Sequence, residues 1–331
     1  NFKPYDDIVL SALNLNNEEG LILYLETFIK RKFDYDQFTE HAENNGFNNK
    51  FVNVTPELGR KTTSPKNCET TIFFYGGSTT FGYNVTDLQT IPSFLGKKLI
   101  KNKKNICVKN FGRGSYFSTQ ETILFQKHIL NNSVKKGDII IFLDGINENG
   151  NRNSRNTGFL YMVNKALNQN YWDMYKFTFP IFFQSLSINQ LIKRIQQKLN
   201  IQKKSPLDQN NIFELKNELK NVLEKNISIR NGICKNIVLN CYNFLQPFAT
   251  IHGKYFEKPV AGAIENRVIN NGQKANLVEK YELLKNIPGI IDISGALDNS
   301  KKLSYVDGVH YSPNANNKIA LKIYDIIFDK K

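Results

Sequence analysis

From residue 70 onward, short continuous apolar runs alternate with stretches of helical period, and no other feature narrows the fold of this chain as much. The runs are "TTIFFYG" (70–76), "NICVKNFG" (105–112), "DIIIFLDG" (138–145), "NIVLNCYNFL" (236–245) and "GIIDIS" (289–294). Runs without polar alternation suit strands covered on both faces, as in a parallel sheet. Between them, "IPSFLGKKLIKN" and "STQETILFQKHILNN" carry helical periodicity, the second with a Ser-x-x-Glu capping box at Ser118 and Glu121. "IFELKNELKNVLEKNISIRN" predicts a long amphipathic helix, and "NNKIALKIYDIIF" a C-terminal one. This alternation predicts an α/β fold.

The first run breaks into "GGSTTFG", which places the hydroxyl of Ser78 at a strand-to-helix turn. A phosphate-binding loop would need Gly-x4-Gly-Lys; Gly77 and Gly82 have that spacing, but Tyr83 stands where the lysine belongs. The dinucleotide pattern G-x-G-x-x-G is absent, and the elbow G-x-S-x-G fails at Thr80. Two readings of Ser78 remain: a helix N-cap, and a nucleophile beside a helix N-terminus that favours developing negative charge.

A serine nucleophile needs a base, and the base needs an orienter. Near the C-terminus, "YVDGVHYSP" sets Asp307 and His310 three residues apart. One turn can fold that carboxylate onto the imidazole Nδ1–H and leave Nε2 to take a proton from Ser78. Of the four histidines, His310 alone has an acid at this spacing in a loop marked by Gly and Pro. In "VKNFGRGSYFSTQ", Gly112 and Gly114 let the backbone turn so that the N–H of Ser115 faces the nucleophile. "FLDGINEN" sets the side-chain donor of Asn147 at the same sheet edge. Taken singly, these are an ordinary βα loop and an Asx-turn. Together, successive strand ends supply the parts of one acyl-transfer site.

These four blocks, in this order, resemble the SGNH hydrolases, the GDSL-like lipase/esterase superfamily. The resemblance covers about 65–150 and 236–331. Three positions depart from the pattern: Gly77 where the family name implies Asp, Ser115 where Gly is common, and Glu148 in place of the Asp after the third-block Asn. The resemblance implies a three-layer αβα sandwich, flavodoxin-like, with a five-stranded parallel sheet and helical or loop insertions. It implies a Ser78–His310–Asp307 triad and an oxyanion hole made by the N–H groups of Ser78 and Ser115 with the side chain of Asn147. Gly77 and Gly114 are the neighbouring backbone, and no metal or cofactor is expected. The expected substrate is a small acyl ester, with acetyl on a glycan foremost. An O-acyltransferase, a lipid ester or thioester hydrolase, and a catalytically silent glycan-binding protein are the alternatives.

Residues 1–65 are polar and Asn-rich, with one helix expected at about 17–31. They read as an extension packing on a hydrolase domain of 66–331, in which about 150–210 and 247–288 are insertions after strand ends, placed to wall a pocket. The first insertion holds Tyr171, Trp172, Tyr175, Phe177, Phe179, Phe182 and Phe183, a set that can stack on sugar rings or serve as core. Lys and Arg number 44 against 30 Asp and Glu, a formal +14 that favours an anionic partner such as an envelope surface. The basic residues are scattered and carry no nucleic-acid motif, so nucleic acid is not an expected partner. Cys68, Cys107, Cys234 and Cys241 form no CxxC pair, and the histidines no HExxH. Cys107 reads as a small buried hydrophobe, and a chain this long needs no disulfide framework. The sequence begins at Asn1 rather than Met. The expectation is a removed signal or anchor and a location at the cell envelope of a bacterium. The oligomeric state is not written in the sequence.

Overall fold

The computed structural model describes residues 2–149, 209–249 and 278–329, apart from positions 32, 37, 44–46, 56, 66, 280 and 299. The chain divides into two compact units, residues 1–149 with 218–331, and residues 150–217. Only residues 209–217 of the second unit are described. The aromatic set from Tyr171 to Phe183 therefore lies outside the described residues, as does most of the insertion at 247–288.

The strands are β1 (Phe33–Asp36), β2 (Glu40–Glu43), β3 (Phe47–Asn48), β4 (Asn53–Thr55), β5 (Gly59–Arg60), β6 (Thr70–Gly76), β7 (Ile106–Asn110), β8 (Ile139–Asp144), β9 (Asn240–Leu245) and β10 (Ile290–Asp292). The helices are α1 (Asp7–Leu13), α2 (Asn17–Tyr24), α3 (Ser78–Phe81), α4 (Ile91–Lys101), α5 (Ser118–Leu130), α6 (Gln209–Ile237) and α7 (Pro313–Phe328). β1 and β2 form a hairpin, and the other strands form one sheet in the order β10-β9-β8-β6-β7-β5-β4-β3. From β10 to β5 every pairing is parallel; β4 and β3 continue antiparallel. The five strands expected from the apolar runs thus stand as one block, β7-β6-β8-β9-β10. Numbered along the chain from β6, that block runs 2-1-3-4-5, the flavodoxin-like order. Among the described residues the sheet nonetheless has eight strands, not five: the extension adds three short ones at the β7 edge.

Alternation along β6 explains the layers. Ile72 and Phe74 point into a core with Ile91, Leu95 and Leu99 of α4 and Ile319 and Ile323 of α7. Phe73 and Tyr75 point the other way, against Leu124 and Phe125 of α5 and Cys234 of α6. Successive Cβ atoms leave a strand on opposite faces, so a run apolar at every position needs cover on both. The result is an αβα sandwich. Among the described residues, no helix is long and apolar enough to cross a membrane.

Four expectations are corrected. The helix expected at 17–31 ends as α at Tyr24 and continues as a π turn over Leu25–Ile29; a separate helix, α1, precedes it. That turn buries Glu26, whose carboxylate accepts the N–H groups of Lys50 (3.1 Å), Phe51 (2.8 Å) and Val52 (3.1 Å). The run at 236–245 starts as the end of α6 and becomes strand only from Asn240. Ser118 is the first residue of α5 rather than its cap, and Glu121 does not complete a box. The cap comes from across the chain: Glu148 accepts Ser118 N–H at 2.7 Å and its hydroxyl at 3.0 Å.

The fourth concerns the cysteines. Cys107 is only part-buried and is bridged to Cys68, and Cys234 is bridged to Cys241. The first bridge ties β7 to the segment leading into β6 across a sequence separation of 39. Closing a loop of that length restricts the unfolded chain enough to contribute about 4 kcal/mol. Cys68→Ala/Cys107→Ala is expected to lower the unfolding free energy by about that amount in urea titration, with the Cys234–Cys241 bridge left intact.

Candidate active site

β6 ends at Gly76, and α3 begins two residues later. Its N-cap is Gly77, in extended backbone and without a side-chain cap, so Ser78 is the first helical residue. The Ser78 side chain turns away from the capping role, and its Oγ lies 3.0 Å from His310 Nε2. Gly77 is required by its surroundings: a Cβ there would sit 2.3 Å from Asn147 Nδ2.

His310 is set by its own turn. Asp307 Oδ1 accepts the N–H groups of Val309 at 2.8 Å and His310 at 2.7 Å, folding the segment back on itself. The turn is closed by a bridge between Tyr305 and Tyr311 and by Val306 N–H donating to His310 O at 2.9 Å. Asp307 Oδ2 then meets His310 Nδ1 at 2.6 Å. A carboxylate only accepts, so Nδ1 carries the proton and Nε2 presents a lone pair to the Ser78 hydroxyl. Burial works to raise the Asp307 pKa, but His310 and the two turn N–H groups outweigh it and hold the carboxyl below its ordinary range.

The loop after β7 is stitched to the end of β6: Phe111 N–H donates to Phe74 O at 2.8 Å, and Arg113 N–H to Gly76 O at 2.9 Å. A Cβ at Gly114 would lie 2.1 Å from the Tyr83 hydroxyl, so only glycine allows that approach. Ser115 adopts φ 64°, a left-handed conformation that a non-glycine residue holds only under constraint. Asn147, in a 3-10 turn just past β8, donates Nδ2–H to Tyr116 O at 2.5 Å. Ser78 and Asn147 follow β6 and β8, the parallel neighbours at which the strand order reverses, where open α/β sheets form their crevice.

No family model matches this chain, and no curated protein does. Solved structures similar to it include a lipolytic protein of the G-D-S-L family from Veillonella parvula (13% identity, TM-score 0.44, 79% of this chain and 100% of that one). The acetyl xylan esterase AlAXEase is another (10% identity, TM-score 0.40, 78% and 100%). A third is a variant of Axe2, an acetyl xylan esterase from Geobacillus stearothermophilus (13% identity, TM-score 0.41, 80% and 97%).

Several residues around Ser78, His310 and Asp307 have no signal of their own in the sequence. The ring of Tyr83 stacks on His310, centroids 5.0 Å apart and planes 17° from parallel. Asn84, buried and at φ 63°, donates Nδ2–H to Asp307 Oδ2 at 2.7 Å. Its place two residues after the helix-ending Gly82 is a usable hint, since Asn tolerates the left-handed region. Gln246, just past β9, accepts from Thr79 Oγ1 at 2.7 Å and from the Tyr311 hydroxyl at 3.1 Å, linking α3 to the His310 turn. Arg60 of β5 is buried and donates to the carbonyls of Phe81, Gly82 and Val85 at 2.8, 2.5 and 2.6 Å, closing the C-terminus of α3. Buried Arg230 of α6 binds Asp144 at 2.7 Å and Ser118 O at 2.8 Å, fixing the end of β8 that leads to Asn147.

Of the other histidines, His128 sits against the Tyr75 hydroxyl at 2.7 Å, its pKa lowered to about 3 by burial and by nearby Arg113 and lysines. His252 lies outside the described residues. Among the described residues, no cluster of three or more His, Cys, Asp or Glu side chains could hold a metal.

Proposed function

We propose that the chain is a serine ester hydrolase of the SGNH type, acting on a small acyl ester, with acetyl on a glycan as the preferred substrate. The observation that carries this reading is the continuous row Ser78–His310–Asp307, with contacts of 3.0 and 2.6 Å between residues 232 and 3 positions apart. A surface turn or a helix cap has no need of such a row; a nucleophile, its base and its orienter do.

In the proposed reaction, Ser78 Oγ attacks the ester carbonyl carbon as His310 Nε2 takes its proton. The carbonyl π electrons move to oxygen, and the oxyanion faces the N–H groups of Ser78 and Ser115 and the Asn147 amide. Asp307, held ionised by its depressed pKa, stabilises the imidazolium. The tetrahedral adduct collapses, the C–O bond to the alcohol breaks, and the imidazolium proton goes to the departing alkoxide. Water then attacks the acyl-serine by the same route, releasing the acid. An alcohol in place of that water would make the same machinery an O-acyltransferase.

The basic charge and the glycan preference go together if the natural ester sits on an acidic envelope polymer. Export is part of this proposal: Cys68, Cys107, Cys234 and Cys241 are all paired, a state that persists in oxidising compartments.

The test is covalent. A fluorophosphonate probe is expected to label the chain once, with peptide mass mapping placing the adduct on Ser78. Labelling elsewhere, or none, would remove the nucleophile. An ester panel run with and without sugar acceptors then separates hydrolysis from transfer, and acetyl-glycan from longer acyl chains.

A further inference from the structure

Three side chains from residues 1–43 contact neighbours of the site: Tyr5 meets Asn84, Arg31 meets Tyr83, and His41 meets Gly114. We propose that the N-terminal extension is a positioning brace of the active site, with Tyr5 steadying the acid, Arg31 the base and His41 the oxyanion peptide. This rests on the esterase reading above.

The acid brace runs through Asn84. Tyr5 is buried with Val9, Leu10 and Leu13 of α1 and donates its hydroxyl to Asn84 Oδ1 at 2.7 Å. The amide can offer Nδ2–H to Asp307 only while Oδ1 faces away, and Tyr5 satisfies that buried oxygen. Asp307 Oδ2 thus accepts from Asn84 and from His310 at 2.7 and 2.6 Å, and the row extends to five residues. Two donors on one oxygen fix the rotation of the carboxyl, and with it the imidazole plane.

The base brace is a stack. Arg31, paired with Glu43 through Nε–H to Oε2 at 3.0 Å, lies with its guanidinium 4.6 Å from the Tyr83 ring centroid. Tyr83 in turn stacks on His310. A cation over the ring holds Tyr83 against the imidazole without a hydrogen bond to either catalytic nitrogen.

The oxyanion brace comes from β2. His41 Nε2 lies 3.0 Å from Gly114 O. A carbonyl only accepts, so this nitrogen carries the proton and donates. Gly114 C=O and Ser115 N–H are two ends of one peptide group, so the bond sets that group's orientation and strengthens its N–H as a donor. It also accounts for the left-handed Ser115, which needs its surroundings to hold it.

The braces act on different parts, which makes them separable in the full-length chain with p-nitrophenyl acetate as the probe. Tyr5→Phe keeps the ring and the fold. It is expected to lower kcat about tenfold, the worth of one hydrogen bond, with KM unchanged, Tm lowered by a few degrees because Asn84 Oδ1 loses its buried donor, and the downfield Nδ1–H proton resonance of His310 displaced. His41→Leu is expected to lower kcat about tenfold or more at constant KM, because an oxyanion donor acts in the transition state. His41→Gln, which retains a donor N–H, should recover most of that loss, and neither change should move the His310 resonance. Rates within twofold of wild type for both Tyr5→Phe and His41→Leu would overturn the brace, as would a Gln variant no better than Leu. A wild-type chain that neither hydrolyses the ester nor labels at Ser78 would instead overturn the esterase reading itself.

Discussion

Replacing Ser78 with alanine is expected to lower kcat for p-nitrophenyl acetate by about a million-fold, with KM little changed. Ser78 is the only group in the row whose oxygen can become part of the acyl-enzyme; its loss removes the covalent route rather than weakening it. The change is structurally mild. Ser78 caps nothing, Gly77 provides the N-cap, and alanine is a good residue at a first helical position. Thermal unfolding should therefore match wild type, and the fluorophosphonate should no longer attach. Whatever rate remains belongs to water activated by His310 beside the oxyanion donors. A loss of tenfold or less, measured on folded protein, would mean that another residue performs the attack.

The second large effect belongs to Asp307→Asn, for which a fall in kcat of about ten-thousand-fold is expected. The amide keeps the shape of the carboxyl, and its oxygen can still accept the turn N–H groups of Val309 and His310. Its NH₂, however, can face Nδ1, which then becomes the acceptor and puts the imidazole proton on Nε2. That tautomer has no lone pair for the Ser78 hydroxyl. Steady-state kinetics should show the loss in kcat and not in KM. The variant also loses a pH-dependent share of stability. A carboxyl whose folded pKa lies below its unfolded one stabilises the fold above the unfolded value, and loses that contribution as pH falls through the folded value. Wild type should lose its advantage over Asp307→Asn in acid, and urea titrations across the acid range would show it. An advantage that persists unchanged to low pH would contradict the depressed pKa.

The parts of the site legible in the sequence share one property: each is local. Ser78, Asn147 and the Asp307–His310 pair sit in short blocks where a few neighbours signal a strand end, a turn and a chemically able side chain. The Asp307 turn is an example, since its carboxylate binds N–H groups two and three residues on. The unread parts depend on distant partners. Ser118 and Glu121 have the spacing of a capping box, yet Glu148 caps the helix and buried Glu121 lies 3.4 Å from Arg230 Nη2. The cysteine pairs were unreadable for the same reason: a bridge needs two Cβ atoms brought together, and spacing along the chain does not say which.

The extension shows the limit most clearly. β3 and β5 have two residues each and β4 three, too few to display a period. Their place in the sheet starts from the open edge of β7, which pairs with β5; β4 then pairs with β5 and β3 with β4. Tyr83 and Asn84 stand just past α3 and its capping Gly82, but nothing in "FGYNV" says that one will stack on His310 and the other will hold Asp307.

The linear order of residues was enough to decide the α/β class and to mark Ser78, His310, Asp307 and Asn147 as candidates for one site. Apolar periodicity and motif chemistry act over a few residues, and both survive in an extended chain. Packing decided the eight-stranded sheet, the disulfide partners, the need for glycine at 77, and the grip of Tyr5, Arg31 and His41 on the site. Each of those depends on distances between groups far apart in the chain, and such distances exist only once the core has closed.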